Sequence, residues 1–287
     1  MVERVPRIPV TLAALAAVLA VVLAGVAASE AKLGERSSRS AELGPGEAAG
    51  KRVKCKGRKR HLVSGGFRND SPWRHDDNAT VAFFGSFPTG GKGWRARAAN
   101  FRGERETFTV SALCSRTNPR VKTLTEVIRV PPAQQRKATL RCPPRREAIA
   151  GGFDASAFAL DTGAEVIPVE SRRKGRRKWR LSAYNNSGTV GGELVAYARC
   201  AKRRPGLKTE RVKGVAVDQA PLELRPRCKR RNELWSGGFV ADFQSFNPFA
   251  LILADRSYPD GKRWVSRFVG MQAGGNVTAI AYCRDKG

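Results

Sequence analysis

The residues with the most chemistry to offer form one run, Arg172-Arg173-Lys174-Gly175-Arg176-Arg177-Lys178, six positive charges around a single glycine. Arg grips carboxylate, sulfate or phosphate bidentately and Lys acts as a point charge, so all six basic residues are read as a polyanion-binding site, with a solvated turn as the plainer alternative. Further basic clusters lie at Lys51–Arg60, Lys202-Arg203-Arg204 and Arg225–Arg231. Their spread points to a diffuse surface for a polyanion rather than one shaped pocket. Chainwide, 53 Lys plus Arg stand against 25 Asp plus Glu, a formal charge of +28 that calls for an anionic counterpart.

Catalysis has less to stand on. The two histidines are His61 and His75, with Asp76 and Asp77 beside the second. A His next to an acid can serve as a general base, but adjacent residues on a strand point to opposite faces. HExxH, GxSxG, Walker, dinucleotide-glycine and CxxC motifs are all missing. No catalytic residue, no metal site and no cofactor are expected. Trp73, Phe83, Phe84, Phe87 and Tyr258 offer faces for sugar stacking, with core packing as the competing role, and the sequons at Asn78, Asn185 and Asn276 are read as chance.

The elements that must carry these residues begin with an export signature. Arg4 and Arg7 precede an uncharged stretch from Ile8 to Ala28 that ends in small residues, the pattern of a signal peptide over 1–28. The alternative is an uncleaved membrane anchor, since the hydrophobic helix expected over 8–28 is just long enough to span a bilayer. Either way the folded part lies outside the cytoplasm. Cleavage after Ala28 would remove Glu3, Arg4 and Arg7, one net positive charge, and leave +27. Residues 29–52 are rich in Gly, Ser, Ala and Glu and read as a flexible linker.

Beyond the linker the sequence repeats. Gly65-Gly66-Phe67, Gly151-Gly152-Phe153 and Gly237-Gly238-Phe239 recur at a period of 86 residues. Cys55 and Cys114, Cys142 and Cys200, and Cys228 and Cys283 frame the copies, and Trp94, Trp179 and Trp264 precede the closing cysteines as candidate core anchors. The organisation is module 1 at 53–114, connector 115–141, module 2 at 142–200, connector 201–227 and module 3 at 228–287. The chain supplies two connectors for three modules.

Period-two alternation, as in Trp94-Arg95-Ala96-Arg97-Ala98, marks half-buried strands, and Pro and Gly before each Trp mark a hairpin. Four strands per module follow, near 61–68, 80–87, 94–100 and 107–114 in the first, with about two more per connector. The Gly-Gly pair reads as a bulge or close backbone approach, with a phosphate cradle as the sharper alternative.

An even cysteine count in an exported chain argues for disulfides. Periodicity leaves two schemes: within modules (55–114, 142–200, 228–283), or shifted (114–142, 200–228, with 55–283 closing a ring). The first is preferred because it makes each module self-contained, and each bridge would contribute up to about 4 kcal/mol by constraining the unfolded chain. The fold class expected is all-β, three tandem disulfide-stapled modules in a pseudo-symmetric sandwich or prism-like array.

The module C…GGF…SxP…G…W…AYxC, seen in Cys228, Gly237-Gly238-Phe239, Ser257-Tyr258-Pro259, Trp264 and Ala281-Tyr282-Cys283, resembles a module of uncharacterised exported bacterial proteins of actinobacterial type. The resemblance covers 55–287 and implies no activity. Copy two departs with Arg172-Arg173 in place of aromatic-Pro, and copy three has Gly270 where Asn100 and Asn185 stand. The functional expectation is a non-catalytic exported protein adhering to an anionic envelope polymer or membrane surface and not to intracellular nucleic acid. A carbohydrate-binding, lectin-like protein is the alternative, with glycans as partners, and an enzyme is third.

Overall fold

The computed structural model describes residues 36–285 other than 59, 73–80, 156–164, 203–204, 243–250 and 273. The signal-peptide or anchor segment 1–28, and Trp73, His75, Asp76, Asp77 and Asn78, lie outside the described residues. Among the described residues the chain is all β, with strands β1 (Arg36–Leu43) and β2 (Ala48–Lys54) leading into module 1. Module 1 holds β3 (His61–Asn69), β4 (Val81–Thr89), β5 (Gly93–Asn100) and β6 (Glu106–Ser115). A connector hairpin, β7 (Val121–Val130) and β8 (Gln135–Arg141), leads to β9 (Glu147–Ala155), β10 (Val166–Arg173), β11 (Lys178–Asn185) and β12 (Gly192–Ala201). A second connector, β13 (Lys208–Ala216) and β14 (Pro221–Leu224), leads to β15 (Asn232–Asp242), β16 (Leu251–Asp260), β17 (Arg263–Met271) and β18 (Gly275–Asp285).

No module keeps its strands to itself. The three six-stranded sheets run β1-β6-β3-β16-β17-β14, β2-β5-β4-β9-β12-β7 and β13-β18-β15-β10-β11-β8. Each module gives its outer two strands to one sheet and its inner two to the next, so the modules close into a three-sided ring, the prism-like arrangement. The connector hairpins supply all six sheet edges, one strand to each of two sheets. Such an edge strand needs few apolar residues, because one face and one row of backbone groups meet water.

That economy overturns the flexible linker expected over 29–52. From Arg36 onward this segment is β1 and β2, and β1 pairs with β6 as β7 pairs with β12 and β13 with β18. The third connector therefore precedes module 1 instead of following module 3. Leu43 and Val53 are its buried anchors, too few to stand out in a polar sequence. The turn carries a left-handed residue in each connector, Gly46, Ala133 and Gln219.

The Gly-Gly-Phe motif resolves into three separate steric demands. A Cβ on Gly65, Gly151 or Gly237 would fall inside the indole of Trp94, Trp179 or Trp264 respectively. A Cβ on Gly66, Gly152 or Gly238 would collide with the carbonyl of Ser257, Ser86 or Ser171, on the strand that crosses from the neighbouring module. Gly is required because two other atoms already occupy the space, which leaves no cradle for a phosphate. The Phe rings meet near the ring's centre, Phe153 edge-on to Phe67 and to Phe239 with centroids 6.0 and 6.3 Å apart.

Each of the three repeated tryptophans is buried and donates its Nε1 hydrogen to the Ser of the preceding strand: Trp94 to Ser86 (3.0 Å), Trp179 to Ser171 (3.2 Å) and Trp264 to Ser257 (3.0 Å). This explains the shared Ser…Trp spacing, since the hairpin turn brings the two residues onto one face. Cys55 is bonded to Cys114, Cys142 to Cys200 and Cys228 to Cys283, the within-module scheme. Three disulfides fit an oxidising, extracytoplasmic setting.

The first strand of each module carries a bulge, at Val63, Ile149 and Trp235. Bulging frees a carbonyl that must find a donor in a buried place. Ser64 Oγ donates to Trp235 O (2.7 Å) and Ser236 Oγ to Ile149 O. Ala150 stands where the third hydroxyl would be. Val63 O accepts instead from Nε of Arg199 (3.1 Å), whose Nη2 also donates to Leu62 O (2.7 Å).

Candidate functional site

The basic run spans the end of β10, a four-residue tip and the start of β11. Gly175 supplies the left-handed turn (φ +74°), and Lys174 N–H closes it on Lys178 O (2.8 Å). The tip is docked on the segment after β8: Cys142 N–H donates to Arg177 O (2.7 Å) and Ala148 N–H to Arg176 O (2.9 Å).

This geometry divides the six basic residues into two sets. Arg173 points inward, is buried, pairs with Glu147 and donates to Leu207 O (3.1 Å). Arg172 lies opposite Arg180, and both bond the carboxylate of Glu170. Arg177 donates through Nε and Nη2 to Cys142 O (3.2 and 2.9 Å). Its counterparts two residues before each Trp act alike, Lys92 reaching Gly57 O and Arg58 O (both 3.4 Å) and Lys262 reaching Arg230 O (2.7 Å). The expectation of a six-residue polyanion site is therefore corrected. Arg173 and Arg177 hold the fold, Arg172 shares the Glu170 carboxylate with Arg180, and Lys174, Arg176 and Lys178 remain.

Neighbours that the sequence reading did not single out enlarge the surface. Lys178 lies directly opposite Arg141 in the β11–β8 register, and exposed Arg145 follows in the segment on which the tip is docked. Lys174, Arg176, Lys178, Arg141 and Arg145 make no ion pair among the described residues. Like charges placed opposite each other on a sheet are destabilising, and no carboxylate among the described residues pairs with either of them. Some arginines on the sheets do have acids, Arg97 with Asp154 (2.8 Å), Arg256 with Glu223 (3.3 Å) and Arg267 with Asp255, while Arg52 and Arg95 also lie opposite each other in register.

The other candidate residues are engaged in the fold. Phe83 packs on Phe67 (centroids 4.4 Å apart), Phe87 stacks on Tyr197 (5.3 Å), and Arg97 and Arg68 lie over Phe84 and Tyr258 at 4.5 and 5.2 Å. Burial raises the pKa of the Asp154 carboxyl even with Arg97 beside it. Asn185 is wholly buried, donating to Val130 O and Val190 O (both 2.9 Å), so its sequon has a structural use. Asn100 does the same work through Leu43 O, Gly44 O and Glu104 O. Gly270, at the equivalent place in copy three, has no side-chain amide to donate; its carbonyl accepts from Gln219 N–H (3.0 Å). His61 begins β3, half-buried, and no group of three or more metal-ligating side chains gathers among the described residues.

Comparison with protein-family models and with curated proteins returns no match to this chain.

Proposed function

We propose that this is an exported, non-catalytic protein that adheres to an anionic polymer of the cell envelope or its surroundings through the cationic tip and edge formed by Arg141, Arg145, Lys174, Arg176 and Lys178. The observation that carries the reading is the juxtaposition of Lys178 and Arg141 in register, beside Lys174 and Arg176 on a braced hairpin, with no carboxylate paired to any of the four among the described residues. An uncompensated cationic edge lowers its own free energy when a polyanion exchanges counterions for it. The N-terminal 28 residues, read as a signal peptide or anchor, and the disulfides agree with an extracytoplasmic site of action. Stacking on neutral sugars has less support, because among the described residues the aromatic rings offered for it, Phe83, Phe84, Phe87 and Tyr258, are packed or capped by arginine.

The test is affinity for an anionic wall polymer, and for duplex DNA as a calibrated polyanion, across a salt series. Affinity falling steeply with salt, and lost in the variant K174S/R176S/K178S, is the expected result. Salt-independent binding, or no binding to any anionic polymer, would overturn it.

A further inference from the structure

The same corner of the ring is built three times, where the first strand of each module starts beside a neighbouring hairpin tip. Positions 86 residues apart place His61, Glu147 and Glu233 there. In the second copy the Glu147 carboxylate is occupied by Arg173 Nη2 and by the Gly206 N–H (3.2 Å). In the third, Glu233 accepts from Trp235 Nε1 (2.7 Å) and Arg284 Nη1 (3.5 Å). In the first the acid is replaced by His61, and the space is a cavity of about 370 Å³ lined by His61, Gly90, Gly91, Asn118, Arg120 and Arg199.

Arg199 makes this cavity unlike its counterparts. Tyr282 and Leu113, the residues before the other closing cysteines, are uncharged, and a neutral Ser satisfies the bulge carbonyl at the other two junctions. The charge on Arg199 is thus surplus to the hydrogen bonds it makes. It is 2% exposed, Nε and Nη2 are used on Val63 O and Leu62 O, and no carboxylate reaches it among the described residues. Burial alone pulls its pKa down to about 10, with no acid to hold it up. A buried cation without a counterion is strongly disfavoured. At the rim, Arg120 holds a left-handed backbone (φ +49°) where the second connector has Gly206 (φ +61°). Strain of that kind persists where something else requires the side chain.

We infer that the cavity between modules 1 and 2 binds a single carboxylate group supplied by a ligand, with the Arg199 guanidinium as its counterion and His61 and Arg120 at the entrance. The choice of carboxylate follows from the chain itself, which fills the equivalent position with a glutamate side chain in both other copies. The site stands apart from the cationic tip of β10–β11 and does not depend on the polyanion reading.

Thermal melts of the full, disulfide-bonded chain test this with acetate, galacturonate and a uronate polymer, each against chloride at equal ionic strength. A carboxylate at ten times its dissociation constant should raise the melting temperature by about 3–5 °C. H61E, which plants in the first copy the acid the others have, should melt higher than wild type and lose the shift. R120G, matching Gly206, should fold normally and weaken binding about three- to tenfold. A free small acid as the natural source gives the shift with acetate or galacturonate; a polymer-borne group gives it with the polymer alone. In K174S/R176S/K178S the shift should persist, which separates this site from the cationic tip. No shift with any of the three probes, or an undiminished shift in H61E, overturns the inference.

Discussion

Replacing Gly237 with alanine is the sharpest probe of the packing scheme. The new methyl would lie within Cγ and Cδ2 of Trp264, a ring 2% exposed that is fixed by its bond to Ser257 and by a cluster containing Leu113, Leu234 and the Cys228–Cys283 bridge. The indole must withdraw, which overpacks the cluster by about 1–3 kcal/mol and gives up a buried hydrogen bond of about 1 kcal/mol, leaving Ser257 unpaired. The reduced freedom of the unfolded chain returns roughly 0.5–1 kcal/mol. The net expectation is a loss of about 1–3.5 kcal/mol, read as the shift in urea midpoint under oxidising conditions. W264F alone should cost about 2–3 kcal/mol through its cavity and the orphaned hydroxyl. Together the two changes should cost at least about 1 kcal/mol less than their sum, because the smaller ring admits the methyl. A loss below 1 kcal/mol for G237A, or strict additivity in the cycle, would refute the claim that the glycine exists to make room for the tryptophan.

R173S should destabilise by about 3–5 kcal/mol by stranding the buried Glu147 carboxylate, whereas K174S/R176S/K178S should leave the melt unchanged or slightly raised. On duplex DNA that triple variant should reduce the slope of log affinity against log salt by about 2–3, roughly 0.9 for each phosphate no longer neutralised; an unchanged slope would leave the tip as a solvated turn. C142S/C200S should lose about 4 kcal/mol, the entropy of a loop spanning 58 residues, measured by chemical denaturation. Burial pushes the Tyr282 phenol up to about 12 against its usual 10, although the Arg173 N–H bonds its oxygen. Because the folded pKa is the higher one, that stability is complete below pH 10 and is lost as pH rises toward 12, about 2–3 kcal/mol in all. Y282F should show a flatter alkaline loss than wild type, and parallel curves would count against this.

The repeat was legible because steric necessity wrote it three times. Gly65, Trp94, Ser86 and Cys114 each meet a partner from their own module, so the same demand recurs at fixed spacing. β1 and β2 were hidden because edge strands bury little beyond Leu43 and Val53, and because the cysteines that mark the repeat cut each unit after its connector hairpin. Arg173 was misread for a different reason. Its inward orientation depends on a register shift between Pro168 and Glu170, and such a shift changes which residues share a face without altering composition. Arg177 could have been recognised by aligning the hairpin tips, where Lys92 and Lys262 stand at the same place. Arg199 could not: its role depends on Ala150 lacking a hydroxyl and on the bulge at Val63, features that meet only where two modules join.

Sharing every sheet between two modules makes assembly of this protein a late event. With modules 1 and 2 alone, β2-β5-β4-β9-β12-β7 is whole, but β1-β6-β3 and β10-β11-β8 are half-sheets with β3 and β10 as open borders. Those borders wait for β16 and β15, and the pairing of Phe67 with Ser257 spans most of the chain. Loop closure over that separation has to be met before any of the pairing is rewarded, which places the fold among slow, non-local ones. A nascent or truncated chain would expose two strand edges prone to pair with a second molecule. Unlike a stacked array, which tolerates a unit more or fewer, this ring admits three units and no other number.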